Sequence, residues 1–332
     1  MPLLRSQLLA RRLSLLHPQR NAVHGRLYNV SSSSRFKILF MGRDEFSCLV
    51  FRELHAARVV PSQLPDPFSI VGAPPENHVV VTASFGRILT SSMLDMFAPN
   101  RRLNLHPSLL PAYRGPAPIQ HAILNGDKET GVSVIEMLKW KEGIDAGSIW
   151  GTSRVPIHDG AMFPEMRDTL GYVAGRLLVS VLRDMRVGKA KAEPQASADS
   201  APHASTISVL DSAVSFTTMS AESIVRRHRA ISHQRPLITC ISSEKTVQLH
   251  SPYVLDSSVS ALSSVPGTAT FQKSTRTLVV RCADGSVLSV PLMKQEGKAL
   301  MEAKDWWNGA KGLGLVHDGE LRFLDEFSHI LS

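Results

Sequence analysis

Residues 101–120 read RRLNLHPSLLPAYRGPAPIQ. Within this stretch Leu103-Asn104-Leu105-His106 alternates apolar and polar side chains and is stopped by Pro107, the pattern of a strand with a fixed end. Successive side chains on a strand point to opposite faces, so Asn104 and His106 share one face while Leu103 and Leu105 pack on the other. Upstream, HVVVTA at 78–83 is a continuous apolar run suited to a buried strand, and KILFM at 37–41, closed by Gly42, is another. Between them, Phe46, Leu49, Val50 and Leu54 carry helical spacing over 45–58. Helices are also predicted around 91–97 and over 115–124. A further strand is expected at 132–138, followed by a helix over 164–183 whose apolar stripe is Met166, Leu170, Val173, Leu177, Leu178 and Val181. Strands alternating with helices indicate an α/β domain with a mostly parallel sheet. In such sheets ligands bind beyond the carboxyl ends of the strands, which is where Asn104 and His106 lie.

Outward from this core the chain divides into four parts. Residues 1–35 hold six arginines and no acidic residue, and they read as a mitochondrial transit segment, with a disordered basic tail as the alternative. Residues 36–187 form the α/β domain. Residues 188–208 are rich in Ala, Ser and Pro and read as a linker. From 209 to 332 a helix near 221–231 precedes short strand-like runs at 237–241, 246–250, 278–282 and 287–290. Pro266-Gly267 and Asp284-Gly285 provide turns, so a small antiparallel β-barrel is expected. The formal charge of +8 shrinks to 31 basic against 29 acidic residues once the first 35 are set aside, so bulk charge does not argue for nucleic acid. Cys48, Cys240 and Cys282 are too scattered for a disulfide framework or a zinc site, and no metal is expected. No apolar run is long enough to span a membrane.

Asn104 and His106 on one strand face are costly to bury without partners. They are either a site or two satisfied core polar groups. Asp145 follows the 132–138 strand inside Gly143-Ile144-Asp145-Ala146-Gly147. Flanking glycines permit a tight loop that aims a carboxylate at a neighbouring strand end, although an ordinary loop aspartate would look the same. A carboxylate beside an imidazole fixes its tautomer and favours its protonated form.

The combination of Asn104, His106, the following SLLPAYRGPAPI and the later GIDAG resembles the folate-dependent formyltransferase family. The match is dense over 103–147 and weaker over most of 36–310. It implies a Rossmann-like catalytic domain, 10-formyltetrahydrofolate as co-substrate and an amine as acceptor. Carried onto this sequence, Asn104 holds the formyl oxygen, His106 assists proton transfer, and Asp145 orders a water and tunes His106. The segment 80–86 resembles the family's folate loop, which assigns Phe85, Gly86, Ser108 and Ile144 to folate binding, with Phe85 equally suited to core filling. Arg114, Gly143 and Gly147 are assigned to loop support or substrate contact, with a structural salt bridge as the alternative for Arg114.

The region beyond the linker resembles the C-terminal, OB-like domain of the family members that act on methionyl-tRNA, through SAESI at 220–224, PGT at 266–268, the run 279–292 and GKA at 297–299 before Trp306. The resemblance implies methionyl initiator tRNA as partner, action in the mitochondrial matrix and a monomer without membrane association. Arg226, Arg227, Arg229 and Lys298 are the candidates for tRNA phosphates, or else they line solvated faces. Two departures stand out. The stretch from Gly42 to His78, with five prolines in 61–75, has room for one strand–helix crossover where relatives have two. Thr206 stands where relatives often carry a lysine. A catalytically impaired relative acting as an RNA-binding module, and a formyltransferase for another small amine, are the competing readings. A nicotinamide dehydrogenase is a weak third reading, because FMGRD at 40–44 lacks the glycine-rich turn that admits a pyrophosphate.

Overall fold

Val79, Val80 and Val81 are β-branched and apolar on both faces, and the strand that contains them (β3, His78–Ala83) is buried along its whole length. Around it lie β1 (Arg26–Tyr28), β2 (Lys37–Met41), β4 (Arg102–His106), β5 (Glu129–Glu136) and β6 (Ile149–Pro156). They form one sheet in the order β1-β2-β3-β4-β5-β6. A computed structural model of the chain describes residues 26–28, 36–57, 77–242, 245–256 and 262–325. Most of the expected transit segment lies outside the described residues. So does the proline-rich stretch 61–75.

The parallel centre is β2-β3-β4, with Lys37 opposite His78 and Thr82 opposite Asn104. One helix, α1 (Glu45–Ala56), is described between β2 and β3. It opens with a capping box in which Asp44 accepts from the Ser47 amide at 3.0 Å and the Asp44 amide donates to the Ser47 hydroxyl at 3.0 Å. β1 pairs antiparallel with β2, so the sheet gains a short strand ahead of Phe36, where sequence reasoning had organised structure begin. At the other edge, β5 runs antiparallel to β4, and β6 turns back beside β5. β6 went unread because Thr152, Ser153 and Arg154 interrupt any apolar pattern, and Val155 is its one buried residue.

Two shorter helices, α2 (Ser91–Asp95) and α3 (Pro118–Asn125), flank β4 in sequence, and the long α4 (Phe163–Arg186) covers the sheet together with α1. The contact of α4 with α1 rests on Gly171 and Gly175, one turn apart. A Cβ on Gly175 would lie 2.5 Å from the Glu53 Cβ, and one on Gly171 would lie 2.9 Å from the Leu49 Cβ. Missing side chains on α4 thus let the two helices close over Phe46, Val50 and Leu54.

Past residue 208, α5 (Ala221–Ile231) leads into strands β7 (Leu237–Ser242), β8 (Lys245–His250), β9 (Tyr253–Val254), β10 (Thr268–Gln272), β11 (Thr277–Arg281), β12 (Val287–Val290), β13 (Leu292–Gln295), β14 (Met301–Glu302) and β15 (Leu321–Arg322), with α6 (Ala303–Gly312) before the last. Among the described residues these strands pair with one another antiparallel, and a single parallel bridge joins Ala213 to Ile238 of β7. The two sheets are β15-β10-β11-β12-β9 and β14-β13-β8-β7. β12 and β13 are separated by Pro291 alone and pass the chain from one sheet to the other. A bridge between Cys240 and Leu324 joins the far sides, so the two sheets close into a barrel. Phe216 stacks on Phe323 with ring centroids 5.3 Å apart inside it, and Trp306 of α6 is buried against the same ring. The domains meet where α3 packs on α5 and where Phe163 stacks on His233 at 3.7 Å.

Candidate active site

At the carboxyl end of β4 the alternation expected from sequence is realised. Asn104 lies opposite Thr82 of β3 and Ile135 of β5, and His106 lies opposite Ser133. Leu103 and Leu105 are fully buried. The Thr82 hydroxyl donates to the Asn104 side-chain oxygen at 2.8 Å, and the Asn104 side-chain nitrogen donates to Asp145 Oδ1 at 3.3 Å. The amide orientation is therefore held from both ends, with its donor side toward Asp145. His106 Nε2 lies 2.7 Å from the Tyr113 carbonyl oxygen, and its Nδ1 lies 3.6 Å from Asp145 Oδ2. A carbonyl can only accept, so Nε2 carries the proton in the neutral ring and Nδ1 presents its lone pair to the site. Asp145 Oδ2 also accepts from the Gly115 amide at 3.1 Å. The His106 and Asp145 side chains keep only 6% and 13% of their exposure, so attraction between an imidazolium and this carboxylate is less screened than at the surface.

The loop after β4 is built to hold these groups. Ser108 is fully buried and its hydroxyl donates to the Ala112 carbonyl at 2.7 Å. That bond turns the Ser108 hydroxyl into the loop. The Leu110–Pro111 peptide is cis, and Tyr113 adopts φ +62°. The Tyr113 ring reaches away from the site and its hydroxyl donates to Asp127 Oδ2 at 2.5 Å; burial, with that carboxylate, pushes its pKa to about 12. Among the described residues Arg114 makes no salt bridge. Its Nε and Nη2 donate to Gln195 Oε1 at 3.1 and 2.6 Å, a partner in the presumed linker that sequence reasoning missed. No apolar periodicity marks 188–208, so nothing in the sequence announced that this segment lies against the site.

The two glycines around Asp145 serve different ends. Gly143 supplies a φ of +109°, and Asp145 itself sits at +54°. At Gly147 the demand is space, since a Cβ there would lie 2.0 Å from the Glu136 carbonyl oxygen. That neighbour is backbone and cannot swing aside. Gly147→Ala is therefore expected to cost about 1–3 kcal/mol of stability and to displace Asp145, which thermal unfolding and a turnover assay would register together. An unchanged melting temperature would contradict this packing argument.

The remaining candidates divide. Phe85 is half-buried and packs on the cluster of Leu39, Met41, Val80 and Phe97, between Ser84 at φ +45° and Gly86 at φ +71°. Ile144 is an exposed hydrophobic residue next to Asp145. Of the basic group, Arg227 turns inward and donates to the carbonyls of Asp211 and Ala213 at 2.9 and 3.0 Å, and burial lowers its pKa. Arg226 pairs with Glu222 at 2.8 Å. Arg226 and Arg229 line an inter-domain cleft of about 390 Å³ with Asp127, Lys128, Asp159 and Glu222, and the Nε of each arginine is buried with no hydrogen-bond partner among the described residues. Lys298 is exposed, in the turn after β13. Among the described residues no group of three or more His, Cys, Asp or Glu is placed to hold a metal ion.

An anchored amide donor, an imidazole whose Nδ1 lone pair faces the site and a carboxylate beside it, at the open end of an α/β sheet, are groups suited to group transfer. Residues 56–182 match the family described as formyl transferase, residues 206–311 match formyl transferase, C-terminal domain, and a mitochondrial methionyl-tRNA formyltransferase of Mus musculus is 30% identical over 86% of this chain and 81% of its own. This chain belongs to the formyl transferase family. A methionyl-tRNA formyltransferase of Campylobacter curvus is 34% identical over 70% of each chain. Among solved structures, the N-formyltransferase from Helicobacter canadensis in complex with folinic acid and dTDP-3-aminofucose shares the fold. Its TM-score is 0.57 at 14% identity, over 77% of this chain and 99% of that one.

Proposed function

We propose that this protein transfers the formyl group of 10-formyltetrahydrofolate to the amino group of methionyl initiator tRNA in the mitochondrial matrix. The observation that carries the reading is the donor–base–carboxylate arrangement of Asn104, His106 and Asp145. The names of the relatives, including the mitochondrial one, support the choice of acceptor and compartment.

The folate supplies the activated formyl group. The left-handed Ser84 and Gly86 turn the main chain around Phe85 where the pterin would lie, and the exposed Ile144 offers apolar surface beside the site. The Asn104 side-chain nitrogen hydrogen-bonds the formyl oxygen as charge develops there. His106 Nδ1 takes the proton that the attacking amine loses, Asp145 stabilises the resulting imidazolium, and that proton passes to folate N10 as its bond to the formyl carbon breaks and tetrahydrofolate leaves. Arg226 and Arg229 on α5, and the exposed Lys298, are the basic groups that meet tRNA phosphates, and Arg227 fastens α5 to residues 211–213. The protein acts as a monomer without membrane association.

Purified full-length chain incubated with 10-formyltetrahydrofolate and charged initiator tRNA is expected to yield formylmethionyl-tRNA, with elongator methionyl-tRNA a poorer acceptor. No transfer from a folded sample that binds both substrates would sink the proposal.

A further inference from the structure

We propose that Gln195, in the segment joining the two domains, is a positioning residue that sets the placement of Asp145. The proposal takes formyl transfer as the reaction.

A primary amide has two N–H donors and one oxygen with two lone pairs. Gln195 uses all four. Nε2 donates to the carbonyls of Asp145 and Gly147, both at 2.8 Å, while Oε1 accepts from Arg114 Nε and Nη2 at 3.1 and 2.6 Å. One side chain thus ties the loop after β5, which carries Asp145, to the loop after β4, which carries Arg114. These are the two loops whose relative position fixes the His106–Asp145 separation of 3.6 Å.

The main chain around Gln195 is held on both loops. Glu193 and Ile149 exchange amide–carbonyl bonds of 2.7 and 2.9 Å. Further on, the Tyr113 amide donates to the Pro202 carbonyl at 2.6 Å and the Ala204 amide donates to the Arg114 carbonyl at 2.9 Å. Gly115 makes room for this crossing, because a Cβ there would lie 2.5 Å from the Ala204 carbonyl oxygen. The segment 193–204 is therefore a strap across both catalytic loops.

Asp145 needs such a clamp. It sits at φ +54°, a costly region for a residue with a Cβ. Its carboxylate has to stay in reach of Asn104, Gly115 and His106 together. Release of the two carbonyls lets the 143–147 loop relax, and a misplacement of about 1 Å in a catalytic group can lower the rate about 10²-fold.

Two near-isosteric variants of the full chain test this. Gln195→Met removes all four hydrogen bonds, whereas Gln195→Glu keeps the oxygen partner of Arg114 and removes the donors to Asp145 and Gly147. Both are expected to lower kcat by about 10²-fold with KM for folate and for tRNA unchanged. Amide hydrogen exchange in 143–147 should rise in both while exchange elsewhere is retained. Arg114→Ala should be slowed similarly, and its combination with Gln195→Met should be no slower than the slower single variant. Wild-type kcat with unchanged exchange at 143–147 would overturn the proposal, as would a Gln195→Glu variant at wild-type rate. Additive losses in the double variant would also overturn it. Should the wild-type chain fail to formylate methionyl-tRNA while the exchange differences stand, the reaction assigned above is wrong and the clamp survives.

Discussion

Replacing His106 with alanine is expected to lower kcat for formyl transfer by about 10²–10⁴-fold, the usual contribution of a positioned acid–base group, with tRNA affinity unchanged. An amine that attacks a formyl carbon must lose a proton, and His106 Nδ1 is the lone pair that faces the site, because Nε2 is committed to the Tyr113 carbonyl at 2.7 Å. The imidazolium so formed lies 3.6 Å from Asp145 Oδ2, in surroundings where both side chains are largely shielded from water. Since His106 is buried at the strand end, its removal leaves the basic surface of the C-terminal domain intact. Single-turnover transfer of labelled formyl, paired with a tRNA binding titration, would measure both the rate and the affinity. A variant within tenfold of wild-type kcat would rule out His106 as the base.

Much of this centre was legible because strand alternation is a strong rule. Asn104 and His106 had to share a face, and Pro107 had to end β4 beside them. The loop of Asp145 was legible as a tight turn, although its glycines work differently from the simplest expectation, with Gly147 answering to a carbonyl contact and Asp145 itself taking the positive φ. What escaped was contact between segments far apart in sequence. Gln195 sits among alanines, serines and prolines, and nothing local distinguishes its amide from any exposed glutamine. Arg227 looked like a phosphate ligand beside Arg226 and Arg229, yet α5 turns it toward the carbonyls of residues 211 and 213. β6 and β10 lack a clean apolar period, and their places are set by partners in the sheet, an effect that strand propensity does not anticipate. In the barrel, the helix bearing Trp306 was hidden because its apolar residues are two tryptophans and small alanines.

Asn104→Ala should slow transfer by about 10²–10³-fold, the range for removal of a donor aimed at a developing oxyanion, and the neighbouring Thr82 gives this prediction a sharper form. The charge that Asn104 must stabilise appears only as the amine adds, so the loss belongs to kcat and leaves KM for both substrates close to wild type. A donor is useful only if the amide presents nitrogen to the site. Thr82 enforces that choice by donating to the side-chain oxygen at 2.8 Å, and Asp145 reinforces it by accepting from the nitrogen at 3.3 Å. An inverted amide would place its oxygen against the Asp145 carboxylate, so inversion is opposed from both ends. Thr82→Val keeps the shape of the buried side chain and removes one of the two restraints. It should lower kcat by up to about tenfold, the equivalent of one hydrogen bond, and Thr82→Ser should restore it. In an Asn104→Ala background there is no amide left to orient, so Thr82→Val should then have no further effect on rate. A Thr82→Val variant that slows the enzyme equally with and without Asn104 would place the threonine's role in packing and remove it from the orientation of the oxyanion donor.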